Sequence, residues 1–181
     1  MNSLSDCLSF VKVILFADDI KLYLRVNSPS DCQLLQSDLD TFSGWVSRFN
    51  LTLNIDKCHI MSFSRSTSSL HHSYFLNGNL LNCVFLIKDL GIYLTPTLSF
   101  DHHINTIIGR ALKILGFIKR ITANFTSSSC LRILYFSLVR SILEYGVVIW
   151  HPYLARDELR IERVQNRFLS YAAFKLKIKH P

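Results

Sequence analysis

Residues Lys12–Leu24 read K-V-I-L-F-A-D-D-I-K-L-Y-L, where two adjacent aspartates, Asp18 and Asp19, stand between two strongly apolar stretches. The run Val11–Phe16 is almost continuously apolar and β-branched, which predicts a buried strand. Beyond the aspartates, apolar and polar residues alternate, which predicts a half-buried strand. Together these patterns predict a β-hairpin whose tight turn, beginning at Ala17, directs both carboxylates out of the end of the sheet.

Adjacent carboxylates at a rigid turn have three explanations. They can form a general acid/base pair in which repulsion raises one pKa. They can bind a divalent metal ion whose charge removes the repulsion. They can also be a solvated turn, because Asp is a common turn residue. The strands on either side hold the pair at the mouth of a sheet, a rigid setting that suits a functional site.

Further along, the first part of the chain predicts one helix and several short strands. Ser28 can cap a helix with Pro29 at its first position and Asp31 completing a capping box. Apolar residues at helical spacing continue to Phe49, and Asn50 ends the helix. The other predicted elements are strands at Leu51–Ile55, His59–Phe63 and Leu90–Leu94 and a hairpin turn at Asn77-Gly78-Asn79.

From Asp101 the pattern becomes helical. One apolar stripe consists of Ile104, Ile107, Ile108, Ala111, Leu112, Leu115 and Ile118. Ser127 or Ser128 can cap a second helix at Ser129–Glu144, and a third covers Arg156–Phe174 before a basic tail, Lys175–Lys179. The fold class is therefore predicted to be α+β, mixed over residues 1–100 and all-helical over residues 101–181.

Charge divides the chain in the same way. Of the 181 residues 49% are hydrophobic and 18% charged, which is typical of a folded chain, and the net charge is +7. Residues 1–101 hold seven Lys and Arg against nine Asp and Glu, whereas residues 102–181 hold thirteen against four. Such a basic half favours a polyanionic partner, either nucleic acid or an acidic membrane.

Several function classes are disfavoured by composition. The five cysteines are odd in number and widely spaced, which argues against a disulfide framework. No signal peptide and no apolar run of membrane-spanning length is recognisable, so we expect an intracellular protein, nuclear or cytoplasmic, without a membrane partner. The histidine pairs His71-His72 and His102-His103 lack zinc-ligand spacing and are interpreted as surface or packing residues.

The F-A-D-D hairpin resembles the metal-binding palm motif of reverse transcriptases. Other segments resemble, in order, the jockey-like group of retrotransposons without long terminal repeats. These segments are Leu4–Leu8, Ser28–Cys32, Leu53–Cys58, Lys88–Gly91, Leu98–Ile104, Leu138–Gly146, Trp150 and Glu162–Gln165. The resemblance covers nearly the whole chain. It implies the C-terminal part of a polymerase palm at residues 1–100, followed by a helical thumb.

In that family a primer hydroxyl attacks the α-phosphate of a deoxynucleotide, assisted by two Mg²⁺ ions. The resemblance implies that Asp18 is a direct metal ligand and that Asp19 is a second, less central carboxylate. Lys57 would stand near the departing pyrophosphate, as proton donor or charge stabiliser. From the residues alone, the favoured interpretation of Lys57 is an ordinary exposed turn lysine.

The resemblance also implies contacts with an RNA template and a DNA primer. Leu90-Gly91 would place the primer terminus, because glycine permits close backbone approach. Asp89 stands where the family usually has an aromatic residue. The basic residues Arg110, Lys113, Lys119 and Arg120 would face the phosphates of the duplex. The alternatives are a plain hairpin glycine and a solvated basic helix face.

The family's palm needs another aspartate from an earlier strand and a fingers region that grips the triphosphate. Only residues 1–16 precede the hairpin, so we expect a fragment that is inactive alone, from a truncated gene copy or a partial gene model. A non-catalytic nucleic-acid-binding module and a non-functional relic are the alternatives.

Overall fold

The computed structural model describes residues 4–64, 70 and 72–178. The chain divides into two compact units, Met1–Phe85 and Leu86–Pro181. The division lies earlier than the boundary predicted after residue 100, so the Leu90-Gly91 hairpin belongs to the second unit. Helices and small sheets occur together, which is compatible with the predicted α+β class. The assignment of the units to palm and thumb stays a prediction.

The first unit contains two helices, a 3-10 turn and six short strands among its described residues. They are α1 (Leu4–Cys7), β1 (Lys12–Phe16), β2 (Asp19–Tyr23), α2 (Pro29–Arg48), the 3-10 turn Ile55–Lys57, β3 (His59–Ile60), β4 (Phe75–Leu76), β5 (Asn79–Leu80) and β6 (Asn82–Cys83). The strands form two-stranded sheets. β1–β2 and β4–β5 are antiparallel, and β3–β6 is parallel.

Helix α2 forms as predicted. The Asp31 carboxylate accepts hydrogen bonds from the N–H groups of Asn27, at 2.8 Å, and Ser28, at 2.9 Å, which completes the cap. One face of α2 carries the core of this unit. The buried residues of that core are Leu4, Leu8, Val11, Cys32, Leu35, Leu39, Phe42, Val46, Tyr74 and Leu76.

The prediction that the strand before the aspartates is buried is wrong. Ile14, Leu15 and Phe16 are 47%, 60% and 57% exposed. β1 hydrogen-bonds only with β2 among the described strands, so a two-stranded sheet leaves most of its apolar side chains uncovered. Only Val13 of β1 and Leu22 of β2 pack partly against the core.

The predicted strand at Leu51–Ile55 is also wrong, and the one at His59–Phe63 is shortened to two residues. The backbone forms local hydrogen bonds here instead of pairing with a strand. Leu51 N–H donates to the Val46 carbonyl, and Cys58 N–H donates to the Ile55 carbonyl within the 3-10 turn. The turn predicted around Gly78 is confirmed, between β4 and β5.

The second unit contains one hairpin and a helical remainder. Its elements are β7 (Ile87–Asp89), β8 (Ile92–Leu94), α3 (Asp101–Ile121), α4 (Ser128–Leu134), α5 (Ser141–Glu144), α6 (Val147–Trp150) and α7 (Ala155–Leu176), with a π-helical segment, Tyr135–Arg140, joining α4 to α5. None of its described helices is both long enough and apolar enough to cross a bilayer.

The apolar stripe of α3 is confirmed as the centre of this unit's core. Its fully buried members pack with residues from the other helices and β8. The buried set is Ile92, Ile104, Ile107, Ala111, Leu115, Ile118, Leu131, Tyr135, Val139, Leu143, Trp150, Val164 and Phe168. The second predicted helix is wrong as one continuous α-helix because of the π-helical segment. There the Ser137 and Ser141 hydroxyls donate to carbonyls four residues earlier, a bond that local apolar spacing does not reveal.

The third predicted helix extends slightly further than expected, to Leu176. Lys177 then adopts a left-handed conformation, with φ of 57°, that ends it. Lys179, the last residue of the predicted basic tail, lies outside the described residues.

Candidate active site and nucleic-acid interface

The two candidate metal ligands lie at the exposed tip of the first hairpin. Phe16 pairs with Asp19, which leaves Ala17 and Asp18 as a two-residue turn. Ala17 has a φ of +52°, a left-handed conformation that disfavours any residue with a Cβ. Asp18 and Asp19 are both exposed. The hairpin therefore holds two carboxylates in solvent at the end of a narrow two-stranded ribbon.

The base of this hairpin is held by a buried carboxylate that the sequence analysis did not identify. Asp38 of α2 is 3% exposed. It accepts hydrogen bonds from the N–H groups of Ser9, at 3.2 Å, Phe10, at 2.7 Å, and Val11, at 2.8 Å. Three donors satisfy a charge that would otherwise be expensive to bury. Asp38 thereby sets where the chain enters β1.

Asp38 was missed because helix periodicity assigns an aspartate to the solvent face by default. The available signal for its burial was its position next to Leu39, on the side of α2 that carries the buried residues. A buried acidic residue needs donors, and none is close to it in the sequence. Only the tertiary fold supplies them, from the segment before β1.

The carboxylates of Asp18 and Asp19 fit Mg²⁺ in donor type, because Mg²⁺ prefers hard oxygen ligands. They do not fit it in number, since a pair of octahedral ions needs more than one turn provides. Within the described ranges 4–64, 70 and 72–178, no group of three His, Cys, Asp or Glu side chains could hold a metal ion. The turn therefore offers a partial ligand set.

Lys57 ends the 3-10 turn of the same unit, and its N–H donates to the Asn54 carbonyl at 3.0 Å. Its side chain is exposed. Among the residues that the structure describes, no hydrogen bond or ion pair joins it to Asp18 or Asp19. Its role near the pyrophosphate stays a prediction.

The strand predicted at Leu90–Leu94 is shortened to β8, because Leu90 and Gly91 form the turn of the β7–β8 hairpin. Both residues have positive φ, +43° and +88°, as a two-residue type I′ turn requires. The Tyr145 hydroxyl donates to the Leu90 carbonyl at 3.0 Å. A Cβ at residue 91 would lie 3.1 Å from Cε1 of Tyr145. Gly91 therefore permits both the turn conformation and the close approach of the Tyr145 ring. These two requirements are a structural reason for a glycine at this position, independent of the predicted contact with primer.

Tyr145 is itself held in place from two directions. Trp150, which is buried, donates its indole N–H to the Tyr145 carbonyl at 2.7 Å. Gly146 has a φ of +65°, and a Cβ there would lie 2.8 Å from Cδ1 of Ile92 in β8. The second hairpin is thus fastened to the corner between α5 and α6.

His103 supports the same hairpin from α3. It is 1% exposed, accepts a hydrogen bond from Tyr93 N–H at 3.4 Å through Nδ1, and contacts Trp150 edge-on. Burial lowers its pKa, with smaller contributions from Arg110 and His102. His103 is therefore a neutral packing residue, and packing is one of the two roles predicted for the histidine pairs; His71 lies outside the described residues.

The four predicted phosphate-contacting residues of α3 do not share one face. At about 100° of rotation per residue, Arg110, Lys113 and Arg120 fall on one side of the helix, and all three are exposed. Lys119 lies on the opposite side, where its ammonium stands 5.4 Å from the centroid of the Tyr171 ring of α7. These residues and Leu90-Gly91 belong to the second unit, whereas Asp18, Asp19 and Lys57 belong to the first.

Comparison with curated proteins identifies relatives. The chain is 29% identical over 143 residues to the RNA-directed DNA polymerase from mobile element jockey of Drosophila melanogaster, covering 77% of this chain and 16% of the relative. It is 29% identical over 98 residues to the protein of the same description from Drosophila funebris, covering 54% and 11%. It is also 29% identical over 157 residues to the probable RNA-directed DNA polymerase from transposon BS of Drosophila melanogaster, covering 84% and 17%.

No family model matches the chain, and no solved structure matches it significantly. The chain spans less than a fifth of the length of these curated relatives. By sequence it is related to the RNA-directed DNA polymerases of jockey-like retrotransposons, and the resemblance predicted from its motifs is confirmed.

Proposed function

We propose that this chain is a part of a retrotransposon RNA-directed DNA polymerase, contributing metal-binding carboxylates and a nucleic-acid-contacting helical unit to template-directed deoxynucleotidyl transfer. The observation that carries the proposal is the likeness to three such polymerases, combined with an Asp pair displayed at the tip of a two-residue hairpin. Carboxylates exposed at a hairpin tip can approach a metal-bound substrate.

In this proposal Asp18 and Asp19 hold Mg²⁺ together with carboxylates from elsewhere in the polymerase. When bound, the metal ions stabilise negative charge on the attacking and leaving oxygens. Asp38 positions the hairpin through the three backbone N–H groups at its base. Lys57 supplies positive charge near the leaving pyrophosphate.

The chain by itself is proposed to be inactive. Two carboxylates on one turn leave octahedral ions short of ligands, and the described residues offer no third ligand close by. The test is primer extension on poly(A)–oligo(dT) with Mg²⁺ and the purified chain. We expect no incorporation above background. Incorporation that disappears in Asp18→Ala would overturn this part of the proposal.

The catalytic contribution is tested in a chimera. The matching segment of the jockey polymerase is replaced by this chain, and primer extension is measured. We expect extension that falls roughly 100-fold or more with Asp18→Asn, as loss of a metal contact implies. Asp40→Asn is the matched control, because Asp40 is an exposed aspartate of α2 that has no role in the proposal. Equal activity of the Asp18→Asn and control chimeras would contradict the metal-ligand assignment.

A second candidate function, nucleic-acid binding without catalysis, is favoured by the basic second half. Arg110, Lys113 and Arg120 share an exposed face of α3. A salt titration of RNA–DNA duplex binding tests it, since neutralising several phosphates makes affinity fall steeply with salt. A flat response would contradict it. If the chimera both binds the duplex and extends primers, the polymerase proposal is favoured over binding without catalysis.

A further inference from the structure

The second unit carries an open groove between α3 and α7 that shares only Lys119 with the candidate nucleic-acid interface. Its volume is about 490 Å³, and it is open to solvent. The groove is lined by Lys119, Arg163, Asn166, Arg167, Ser170, Tyr171 and Phe174. We propose that this groove binds the backbone of a single-stranded nucleic acid and stacks one unpaired base on Phe174. This inference rests on the proposed nucleic-acid function and deepens it.

The charges of the groove favour a polyanion. Three basic side chains, Lys119, Arg163 and Arg167, line it, and no acidic side chain does so among the described residues. Phosphodiester oxygens are the ligands that guanidinium and ammonium groups bind best in such a setting. Asn166 and Ser170, on the same face of α7, add neutral hydrogen-bonding groups that suit sugar hydroxyls or phosphate oxygens.

The arginines of α7 divide into two kinds. Arg156 and Arg160 are occupied, since both contact the buried Asp157 and Arg156 also pairs with Asp101. No hydrogen bond or ion pair is found for Arg163 or Arg167 within the described part of the chain. Their positions four residues apart place both guanidinium groups on the groove side of the helix. The helix thus uses its first arginines for folding and leaves the next two for a ligand.

The floor of the groove is rigid. The Tyr171 hydroxyl donates to the Lys119 carbonyl at 3.2 Å and shares a 2.7 Å hydrogen bond with Thr122, which is fully buried. Lys119 lies over the ring of the same tyrosine. A fixed aromatic floor beneath a fixed cation means that little side-chain entropy is lost when a phosphate arrives.

The exposed ring of Phe174 favours a single strand over a duplex as the ligand of the groove. It is 81% exposed at the rim of the groove, and among the described residues it is not part of the core of this unit. Base–aromatic stacking is a principal contact of proteins that bind single strands, because unpaired bases present their faces. The bases of a duplex are already stacked and cannot offer one to Phe174 without unpairing.

The test compares a fluorescein-labelled dT12 strand with an RNA–DNA duplex of the same length, by fluorescence anisotropy over a range of salt concentrations. For dT12 we expect the double variant R163Q/R167Q to weaken binding at least tenfold. It should lower the slope of log affinity against log salt by about 1.4, or about 0.7 for each lost phosphate contact. Phe174→Ala should weaken dT12 binding about tenfold and leave that slope unchanged, because stacking releases no counterions.

Matched controls exist for both kinds of change. Arg132→Gln removes an exposed arginine outside the groove, and Tyr153→Ala removes an aromatic residue that is 79% exposed elsewhere in the unit. Neither should change dT12 affinity by more than about twofold. Phe174→Trp should restore binding, because a larger ring stacks at least as well. Thermal melts verify that every variant is folded.

Three results would overturn the inference, and they are distinguishable from a failure of the proposed function. If groove variants bind dT12 normally while R110Q/K113Q/R120Q weakens duplex binding, the groove inference fails and the nucleic-acid function stands. If the arginine variants weaken duplex and single strand alike and Phe174→Ala weakens neither, the occupant is a duplex. If the unmodified chain binds neither dT12 nor the duplex at low salt, both the groove inference and the proposed nucleic-acid function fail.

Discussion

The two long hairpins of this protein have turns of the same length and very different support. The turn at Ala17-Asp18 projects into solvent at the end of a ribbon held mainly at its base by Asp38. The turn at Leu90-Gly91 is held at its tip by the Tyr145 hydroxyl and ring. In the first hairpin, the side chains of Asp18 and Asp19 are exposed and can contact a ligand. In the second, the backbone is immobilised.

The comparison teaches that an apolar pattern around a turn does not show whether the turn is supported. β1 is more apolar than β7, yet three of its side chains are largely exposed. Burial depends on whether another element covers the hairpin, and that element can come from anywhere in the chain. The following changes test this difference between the hairpins.

The largest effect is expected at the base of the first hairpin. Asp38→Ala should lower the free energy of unfolding of the first unit by about 3 kcal/mol, because three N–H groups lose a charged acceptor. Hydrogen exchange of the Phe10 and Val11 amides reports the loss locally. Asp40→Ala is the control, since Asp40 is exposed on α2 and bonds only to Gln36 among the described contacts. Equal losses in both variants would contradict the role of Asp38.

At the tip of the second hairpin, Gly91→Ala should cost about 2 kcal/mol. The left-handed conformation disfavours a Cβ by roughly 1–2 kcal/mol, and Tyr145 must also shift. Chemical denaturation of the protein measures the change. The control is Gly109→Ala, where a Cβ meets nothing within 4 Å on α3 and should stabilise the helix by up to about 1 kcal/mol. A neutral Gly91→Ala would show that the tip is not clamped.

At the tip of the first hairpin the opposite sign is expected. Ala17→Gly should raise the free energy of unfolding by about 0.5 kcal/mol, because relief of the left-handed strain exceeds the extra freedom of the unfolded chain. Urea unfolding detects it. In contrast, Ala155→Gly, in the first turn of α7, should be destabilising by up to about 1 kcal/mol. Destabilisation at both positions would mean that the Ala17 turn is unstrained.

The smallest expected effect is a pH dependence of the stability of the second unit, where His103 of α3 packs against the second hairpin. Burial lowers the pKa of His103 in the folded state, so below about pH 6.5 the unfolded state binds more protons. Stability should therefore fall as the pH drops below that value and level off below the folded-state pKa. The effect is limited because it comes from a single titrating group.

Melting temperatures of the parent and His103→Gln between pH 8 and 5 measure this dependence. We expect a weaker decline in the variant, and His151→Gln serves as the exposed control because His151 does not contribute to the pKa shift of His103. If His103→Gln and the parent decline in parallel, His103 is not the titrating group.

Much of the local structure was predictable. The capping box at Ser28–Asp31 and the stripe of α3 follow from short-range rules, because caps and helix faces involve residues three or four apart. The Asp18-Asp19 turn was located from strand patterns on either side. The strand at Leu51–Ile55 was mistaken because its apolar residues suit a strand, whereas local hydrogen bonds take up its backbone groups.

The amino-acid sequence alone predicts helices α2, α3 and α7, the turn of the first hairpin, the basic second half and the relationship to jockey-like polymerases. These properties are recorded in neighbouring residues or in the order of motifs. Tertiary packing brings Asp38 to the base of the first hairpin and the Tyr145 hydroxyl to the tip of the second. It also places the Lys119 ammonium over the Tyr171 ring of α7. Each joins residues far apart in the chain, and a side chain's partner across such a distance is set by packing, which no local pattern encodes.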